Sequence, residues 1–243
     1  DSELRAFVHL PNPMGDLLVA AGRFAYAGGR RVNHVAVRAG PSWEALGRGL
    51  PAPANALAHH RGRLFAGTEL APDTARGGLW DWHALGAGLD TSARSLFVFD
   101  DGTGPAVYAH LVDRSLLRWS GSSWQELPGS QRLAEVTVHD DGRGAALFGH
   151  SDAGLHRHVS TGWQKLADPL PLTFGDHEHT THLVSFDDGF APALLLVGRE
   201  RTRNALSLLR WADGWTAVPL AFPDFGPQMR VMHPVSTPAG PSV

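Results

Sequence analysis

The densest group of residues able to bind a metal ion lies at Asp176–His182, where the sequence reads Asp-His-Glu-His-Thr-Thr-His. His177 and His179 are two residues apart, so in an extended segment both imidazoles project from the same side of the backbone. Imidazole nitrogens and carboxylate oxygens are ligands for zinc and copper. The spacing matches no established metal motif such as His-Glu-x-x-His, and a polar surface loop is the alternative interpretation. The residues predicted to bind a ligand here are Asp176, His177, Glu178 and His179, and a bound metal ion would be held by His177, His179 and His182.

Histidine also recurs at one position of an internal repeat. His9, His60 and His139 occupy this position in three copies, whereas Phe99 and Phe186 occupy it in the other two. Three imidazoles that converged could bind zinc or copper. Phenylalanine at the same position indicates an apolar environment instead, so we expect these histidines to be packed and hydrogen-bonded.

Paired carboxylates occur at 100–101, 140–141 and 187–188, and each pair is followed by glycine. Asp-Asp-Gly is typical of a tight turn, because aspartate accepts local hydrogen bonds and glycine adopts positive φ at little cost. No Gly-x-Ser-x-Gly elbow, phosphate-binding loop or dinucleotide fingerprint is present. We therefore expect no catalytic residues and no cofactor, the histidine-bound metal ion excepted.

Tryptophans follow the same repeat. They begin Trp-x-x-Leu-like segments and are spaced 39, 42, 39 and 52 residues apart, at Trp43, Trp82, Trp124, Trp163 and Trp215. A large aromatic residue at matched repeat positions is more often packed between sheets than exposed for stacking on a sugar. An exposed tryptophan is most expected in the pairs Trp80/Trp82, Trp119/Trp124 and Trp211/Trp215. Of these, Trp80 and Trp82 are the tryptophans we predict as ligand-binding residues.

The two interleaved motifs define the fold. Each repeat of about 40–45 residues contains a strand such as 134–139, an Asp-Asp-Gly turn, two further apolar runs and a last strand that begins at the tryptophan. Four short antiparallel strands at this period are typical of a β-propeller blade. We predict an all-β protein with five four-stranded antiparallel blades, at about 3–47, 53–87, 92–129, 132–168 and 180–220. The second blade is irregular, with residues 71–76 inserted as a loop.

The predicted propeller forms a single domain over residues 1–225. Residues 226–243 contain one extra strand, 229–233, followed by a disordered tail rich in Pro, Gly and Ser. The extra strand either closes a five-bladed ring or indicates that the chain is part of a six- or seven-bladed ring.

The motifs of Trp82–Gly86 (Trp-His-Ala-Leu-Gly) and Phe99–Tyr108 (Phe-Asp-Asp-Gly-Thr-Gly-Pro-Ala-Val-Tyr) resemble the propeller repeats of secreted bacterial proteins. The repeats are distantly similar to kelch and galactose-oxidase-type propellers, and the blade number is similar to that of five-bladed tachylectin-type lectins. The resemblance implies a propeller fold and does not imply an activity, since such repeats form the scaffold. The paired glycines of kelch repeats occur only at 28–29 and 77–78, and the sialidase Asp-box is absent.

Composition excludes several classes of function. The 243 residues carry a net charge of −3 without runs of like charge, which argues against a nucleic-acid-binding protein. Cysteine is absent, so disulfides and cysteine nucleophiles are excluded. No apolar run approaches the ~20 residues of a transmembrane helix.

We therefore expect a non-catalytic binding or scaffold propeller that recognises a protein partner or a surface glycan through its loops. A metal-dependent hydrolase that uses the clustered histidines and a multivalent lectin remain alternatives. The expected location is extracellular or periplasmic, because the chain begins at Asp1 without methionine and could follow a removed signal peptide; it could equally begin within a longer protein.

Overall fold

The computed structural model of the chain describes residues 2–12, 15, 17–69, 72–76, 83–84, 89–130, 133–168, 181–187, 192–199, 206–219, 235–237 and 240–242. Within these ranges every regular element is a β-strand, and every strand pairs with its neighbours in the antiparallel sense. The predicted all-β class is therefore confirmed. The chain divides into two compact units, Asp1–Leu127 and Pro128–Val243.

The first unit contains three four-stranded sheets. Sheet one also carries a two-stranded hairpin, β3 (Tyr26–Ala27) and β4 (Arg30–Arg31), between its second and third strands. The strands of sheet one are β1 (Glu3–Leu10), β2 (Leu17–Arg23), β5 (Val35–Ala39) and β6 (Ser42–Ala45). Those of sheet two are β7 (Ala54–His60), β8 (Arg63–Thr68), β9 (Pro72–Arg76) and β10 (His83–Ala84). Those of sheet three are β11 (Ala93–Asp100), β12 (Pro105–Leu111), β13 (Leu116–Trp119) and β14 (Trp124–Glu126).

The second unit contains two four-stranded sheets and a short hairpin. Sheet four consists of β15 (Glu135–Asp140), β16 (Ala145–Ser151), β17 (Gly154–Val159) and β18 (Gly162–Ala167). Sheet five consists of β19 (Thr181–Asp187), β20 (Pro192–Arg199), β21 (Leu206–Trp211) and β22 (Trp215–Val218). The hairpin pairs β23 (Val235–Thr237) with β24 (Gly240–Ser242). The extra strand predicted at 229–233 lies outside the described residues, and the predicted domain bounds stay predictions.

Apolar side chains hold successive sheets face to face within each unit. In the first unit β7 packs between β1 and β11, the first strands of the neighbouring sheets. One buried cluster joins sheets one and two, and includes Val19, Leu57 and Leu64. A second cluster joins sheets two and three. Sheets four and five of the second unit share a cluster that includes Phe148 and Leu196. Four-stranded sheets stacked with their first strands together form the propeller-like arrangement that the repeat predicts.

The prediction of five four-stranded blades is not matched, because four of the described sheets form regular blades and sheet two departs from them. In sheet two the last strand is reduced to two residues, His83 and Ala84. The segment predicted as an inserted loop forms β9 instead, with Thr74 opposite Phe65. The outer edge of β8 has free peptide groups that need partners, and the inserted residues supply them. Tertiary pairing here overrides the weak strand propensity of Pro72–Arg76.

Candidate functional site

Most of the predicted ligand-binding residues lie outside the described part of the chain. These are Trp80, Trp82, Asp176, His177, Glu178 and His179. His182 lies in β19, half-buried and opposite Val197 of β20. Among the described residues, no three histidine, aspartate or glutamate side chains come close enough together to hold a metal ion. The predicted loop site and its metal ligands therefore stay predictions.

The first carboxylate of each described Asp-Asp-Gly segment closes the turn between the first two strands of its sheet. In sheet three, Asp100 Oδ1 accepts hydrogen bonds from the backbone N–H groups of Gly102 and Gly104, at 2.9 and 3.0 Å. Both glycines have positive φ, 94° and 108°, which an L-residue adopts only with strain. Asp140 makes the same two bonds in sheet four. The first aspartate is therefore a turn residue, as predicted.

The second carboxylate of sheet three is held by groups from the turn and two strands. Asp101 Oδ1 accepts hydrogen bonds from the N–H group of Thr103 at 3.0 Å and from its hydroxyl at 2.6 Å. Asp101 Oδ2 accepts a hydrogen bond from the Tyr108 hydroxyl at 3.0 Å and lies 3.1 Å from Nε of Arg118. Tyr108 and Arg118 are directly opposite on β12 and β13. The carboxylate thus links the turn to the third strand.

Sheet four repeats this arrangement with different side chains. Asp141 Oδ2 forms ion pairs with Arg143 of the same turn and with Arg157 of β17, whose Nε lies 3.4 Å away. The guanidinium carbon of Arg157 lies 5.9 Å from the ring centroid of Phe148, which occupies the position of Tyr108. In sheet five Arg210 holds the equivalent position of the third strand. An arginine thus recurs at this position of the third strand, and in sheets three and four it pairs with the carboxylate of the turn.

The electrostatic environment of Asp101 and Asp141 favours stable ion pairs with arginine over proton transfer. Burial opposes ionisation of Asp101, but the hydrogen bonds from Thr103 and Tyr108 and the charge of Arg118 outweigh it, and the pKa of Asp101 falls below its ordinary value. The pKa of Asp141 falls for the corresponding reasons. Burial and the neighbouring carboxylate raise the pKa of Tyr108. A general acid or base needs a pKa close to the working pH, and these groups are displaced away from it.

The histidines at the repeated first-strand position have different environments. His9 is exposed and His60 is half-buried, with its pKa lowered chiefly by burial. His139 is 3% exposed, lies 2.9 Å through Nδ1 from the Ser185 hydroxyl of sheet five, and packs edge-on against the ring of Phe148 at 5.1 Å. Burial also lowers its pKa, so His139 is neutral near pH 7. His139 is therefore the packed and hydrogen-bonded side chain that the repeat predicts.

Four of the described tryptophans form two pairs at the outer hairpins of sheets three and five, where they pack on the apolar clusters. Trp119 and Trp124 are directly opposite on β13 and β14, with ring centroids 5.3 Å apart and planes at 58°. Trp211 and Trp215 repeat this pair in sheet five, at 5.3 Å and 62°. Each pair is half-buried against the cluster between its sheet and a neighbouring sheet. This packing agrees with a structural role for the repeated tryptophan.

Sequence reasoning missed two buried histidines on the second strands. His110 of β12 is fully buried opposite Ser95, and His150 of β16 is 7% exposed opposite Glu135. Burial lowers the pKa of His150 to about 4, so this imidazole is neutral at physiological pH. The matched spacing of the two histidines from their Asp-Asp-Gly turns was the signal that could have identified them. They add to the core and bring no new site to the surface.

The hairpin β3–β4 was also missed, although Gly28-Gly29 is visible in the sequence. It exposes Tyr26, Arg30 and Arg31 on the first sheet. The repeat could not predict it, because the other described sheets contain no counterpart.

Comparisons with known proteins support the fold alone. No family model matches the sequence, and neither does any curated protein. The extracellular domain of a two-component-system protein from B. thetaiotaomicron is 12% identical with a TM-score of 0.55, and the match covers 95% of this chain and 35% of that domain's chain. The computationally designed Ika8 protein is 12% identical with a TM-score of 0.50, over 86% of this chain and 58% of that chain. The chain thus spans about a third of the extracellular domain that it matches. Its similarity to kelch or tachylectin-type propellers stays a prediction.

Proposed function

We propose that the chain is a non-catalytic binding or scaffold module of the propeller type. The observation that carries this proposal is the engagement of the repeated polar groups in structure. The carboxylate pairs of sheets three and four close turns and pair with arginines of the third strands. His139 forms a hydrogen bond with the hydroxyl of Ser185 inside the core. These groups stabilise the sheets, so we expect a partner to bind to the loops that depart from the repeat.

The proposed location is outside the cytoplasm, and the proposed partner is a protein or a surface glycan. The extracellular domain from B. thetaiotaomicron supports the location through its shared fold. The described residues include no helix with the length and apolar character that a membrane crossing requires.

The segment proposed to contact the partner first is Asp176–His182, which interrupts the repeat and holds three histidines and two carboxylates. The test replaces residues 176–180, which precede β19, by a Gly-Ser linker of equal length. Because loop-closure entropy depends only weakly on sequence at constant length, we expect the variant to fold. A matched control changes an exposed turn inside the repeat, Asp113→Ser with Arg114→Gly, where Arg114 has φ 72° and glycine fits.

Immobilised wild-type chain first captures partners from an extracellular extract, and the affinity of the captured protein or glycan is then measured for each variant. We expect the loop replacement to weaken binding at least tenfold, about 1.4 kcal/mol, and the control to leave it unchanged. Equal binding by the loop variant would refute the loop assignment. Turnover of a hydrolase substrate that disappears with His177→Ala would refute the non-catalytic function.

A further inference from the structure

The hairpin β3–β4 presents an aromatic and basic surface on the first unit. Tyr26 lies opposite Arg31, and Ala27 opposite Arg30, across a two-residue turn. The turn residues Gly28 and Gly29 have φ 55° and 78°, as a tight hairpin turn with two positive φ values requires. Tyr26 is 64% exposed, although a ring of this size is more often at least half-buried.

A small core of its own fixes the hairpin to sheet one. The buried side chains of this core are Phe24, Val32 and Ala36, with Ala27 and Trp43 packed against them. The N–H group of Val32 donates to the carbonyl of Ala25 at 2.9 Å, and that of His34 donates to the carbonyl of Phe24 at 2.7 Å. The exposed side chains therefore stand on an ordered base, which reduces the entropy lost when a partner binds.

This part of the chain is basic, although the whole chain has a net charge of −3. Residues 17–50 contain five arginines and one carboxylate, Glu44, which makes their net charge +4. Arg30, Arg31 and Arg38 are exposed, and none of the three forms an ion pair with another described residue.

Two of these arginines are oriented by neutral acceptors. Arg31 Nε donates to Asn33 Oδ1 at 3.1 Å, and Arg38 Nε donates to the carbonyl of Gly40 at 3.1 Å. Arg38 lies opposite Trp43, the residue on which the hairpin rests. The guanidinium groups of Arg31 and Arg38 are thus held near the hairpin by neutral groups and not by carboxylates of the described residues.

We propose that Tyr26, Arg30, Arg31 and Arg38, here called the Tyr26 surface, bind an acidic segment of a partner protein. Guanidinium groups bind carboxylates through paired hydrogen bonds, and tyrosine and arginine dominate the energetics of protein interfaces. An extended polyanion such as a nucleic acid would meet the negative charge of the rest of the chain, whereas a short acidic segment contacts the basic surface alone. The inference rests on the proposed binding function and names a class of partner for it.

The test uses a fluorescein-labelled peptide of five Asp-Glu repeats and the full chain, with binding followed by fluorescence anisotropy at low salt. We expect Arg30→Glu with Arg31→Glu to weaken binding at least tenfold, and Tyr26→Ser to weaken it by a smaller factor. The control Arg61→Glu with Arg114→Glu changes the net charge equally at exposed turns distant in sequence from the hairpin. It should retain wild-type affinity. Far-ultraviolet circular dichroism and thermal melts establish that each variant is folded.

Three results would overturn the inference. The first is that the acidic peptide does not bind saturably, and the second is that the control loses as much binding as the Arg30 and Arg31 variant. The third is that a heparin oligosaccharide or phosphatidylserine vesicles bind through the same arginines more tightly than the peptide does. None of these results depends on the replacement of residues 176–180, so a failure at the Tyr26 surface is distinguishable from a failure of the proposed function.

Discussion

Truncation of Trp124 tests whether the repeated tryptophan holds neighbouring sheets together. Its ring packs on the cluster between sheets two and three and contacts the ring of Trp119, with centroids 5.3 Å apart. Removal of a fully buried tryptophan side chain costs about 3–5 kcal/mol. Trp124 is half-buried, so we expect Trp124→Ala to lower the free energy of unfolding by about 2–4 kcal/mol. The aromatic contact should appear as a coupling of about 0.5–1.5 kcal/mol in a double-mutant cycle with Trp119→Ala.

Urea unfolding followed by far-ultraviolet circular dichroism measures this loss as a lower midpoint at constant slope. Nε1 of Trp124 is buried without a hydrogen-bond partner among the described residues, so Trp124→Phe keeps the apolar contact and removes an unpaired donor. We expect this variant to lose less than half as much stability as Trp124→Ala. Trp215→Ala provides a matched test in the second unit, where the pair has the same ring distance. A loss below about 1 kcal/mol for Trp124→Ala would refute the packing role and favour an exposed stacking surface.

Three further tests, each with its own substitutions, probe other positions of the repeat. His139→Phe should keep the free energy of unfolding within about 1 kcal/mol of wild type, because phenylalanine occupies this position in two other repeats and only the Ser185 hydrogen bond is lost. His139→Ala should lower the free energy of unfolding by about 2 kcal/mol or more in the same urea assay. Asp141→Asn should lower the free energy of unfolding by about 1–2 kcal/mol at pH 7. The folded pKa of Asp141 lies below its unfolded value of about 3.9, so the difference from wild type should vanish as the pH falls through the folded pKa. A constant difference down to pH 2 would contradict the ion-pair assignment. Gly154→Ala should be at least twice as destabilising in thermal melts as Gly142→Ala, because both glycines have positive φ but only at Gly154 would a Cβ collide with a neighbouring carbonyl.

The strands could be predicted well from the repeat, because the residues that define each repeat act on the adjacent backbone. Asp-Asp-Gly turns and tryptophan-led last strands recur at nearly constant spacing, and local chemistry decides both. Sheet two was less predictable, because β9 is defined by the open edge of β8 and its own residues have weak strand propensity. The hairpin β3–β4 was not predicted for another reason. It occurs in one of the described sheets, so a comparison of repeats does not detect it.

The roles of the polar residues depended on register, which sequence spacing specifies only indirectly. The turn geometry of Asp100 and Asp140 could be predicted, because it uses neighbouring glycines. The ion pair of Asp101 with Arg118 could not, because it requires β13 to lie beside β12 with Arg118 opposite Tyr108. The contact of His139 with Ser185 joins two sheets, and no pattern within one repeat contains it.

The metal content of the purified full chain tests the central claim that this is a binding module whose repeated histidines and carboxylates are structural. After dialysis, elemental analysis should find zinc, copper and calcium far below one equivalent per chain, and a chelator should leave the melting temperature unchanged, because a metal bound to the folded state would raise it. His158→Ala, which removes a ring packed on Trp163, is the control for nonspecific effects of losing a histidine. One equivalent of zinc or copper per chain that is lost with His177→Ala and retained in His158→Ala would contradict the claim.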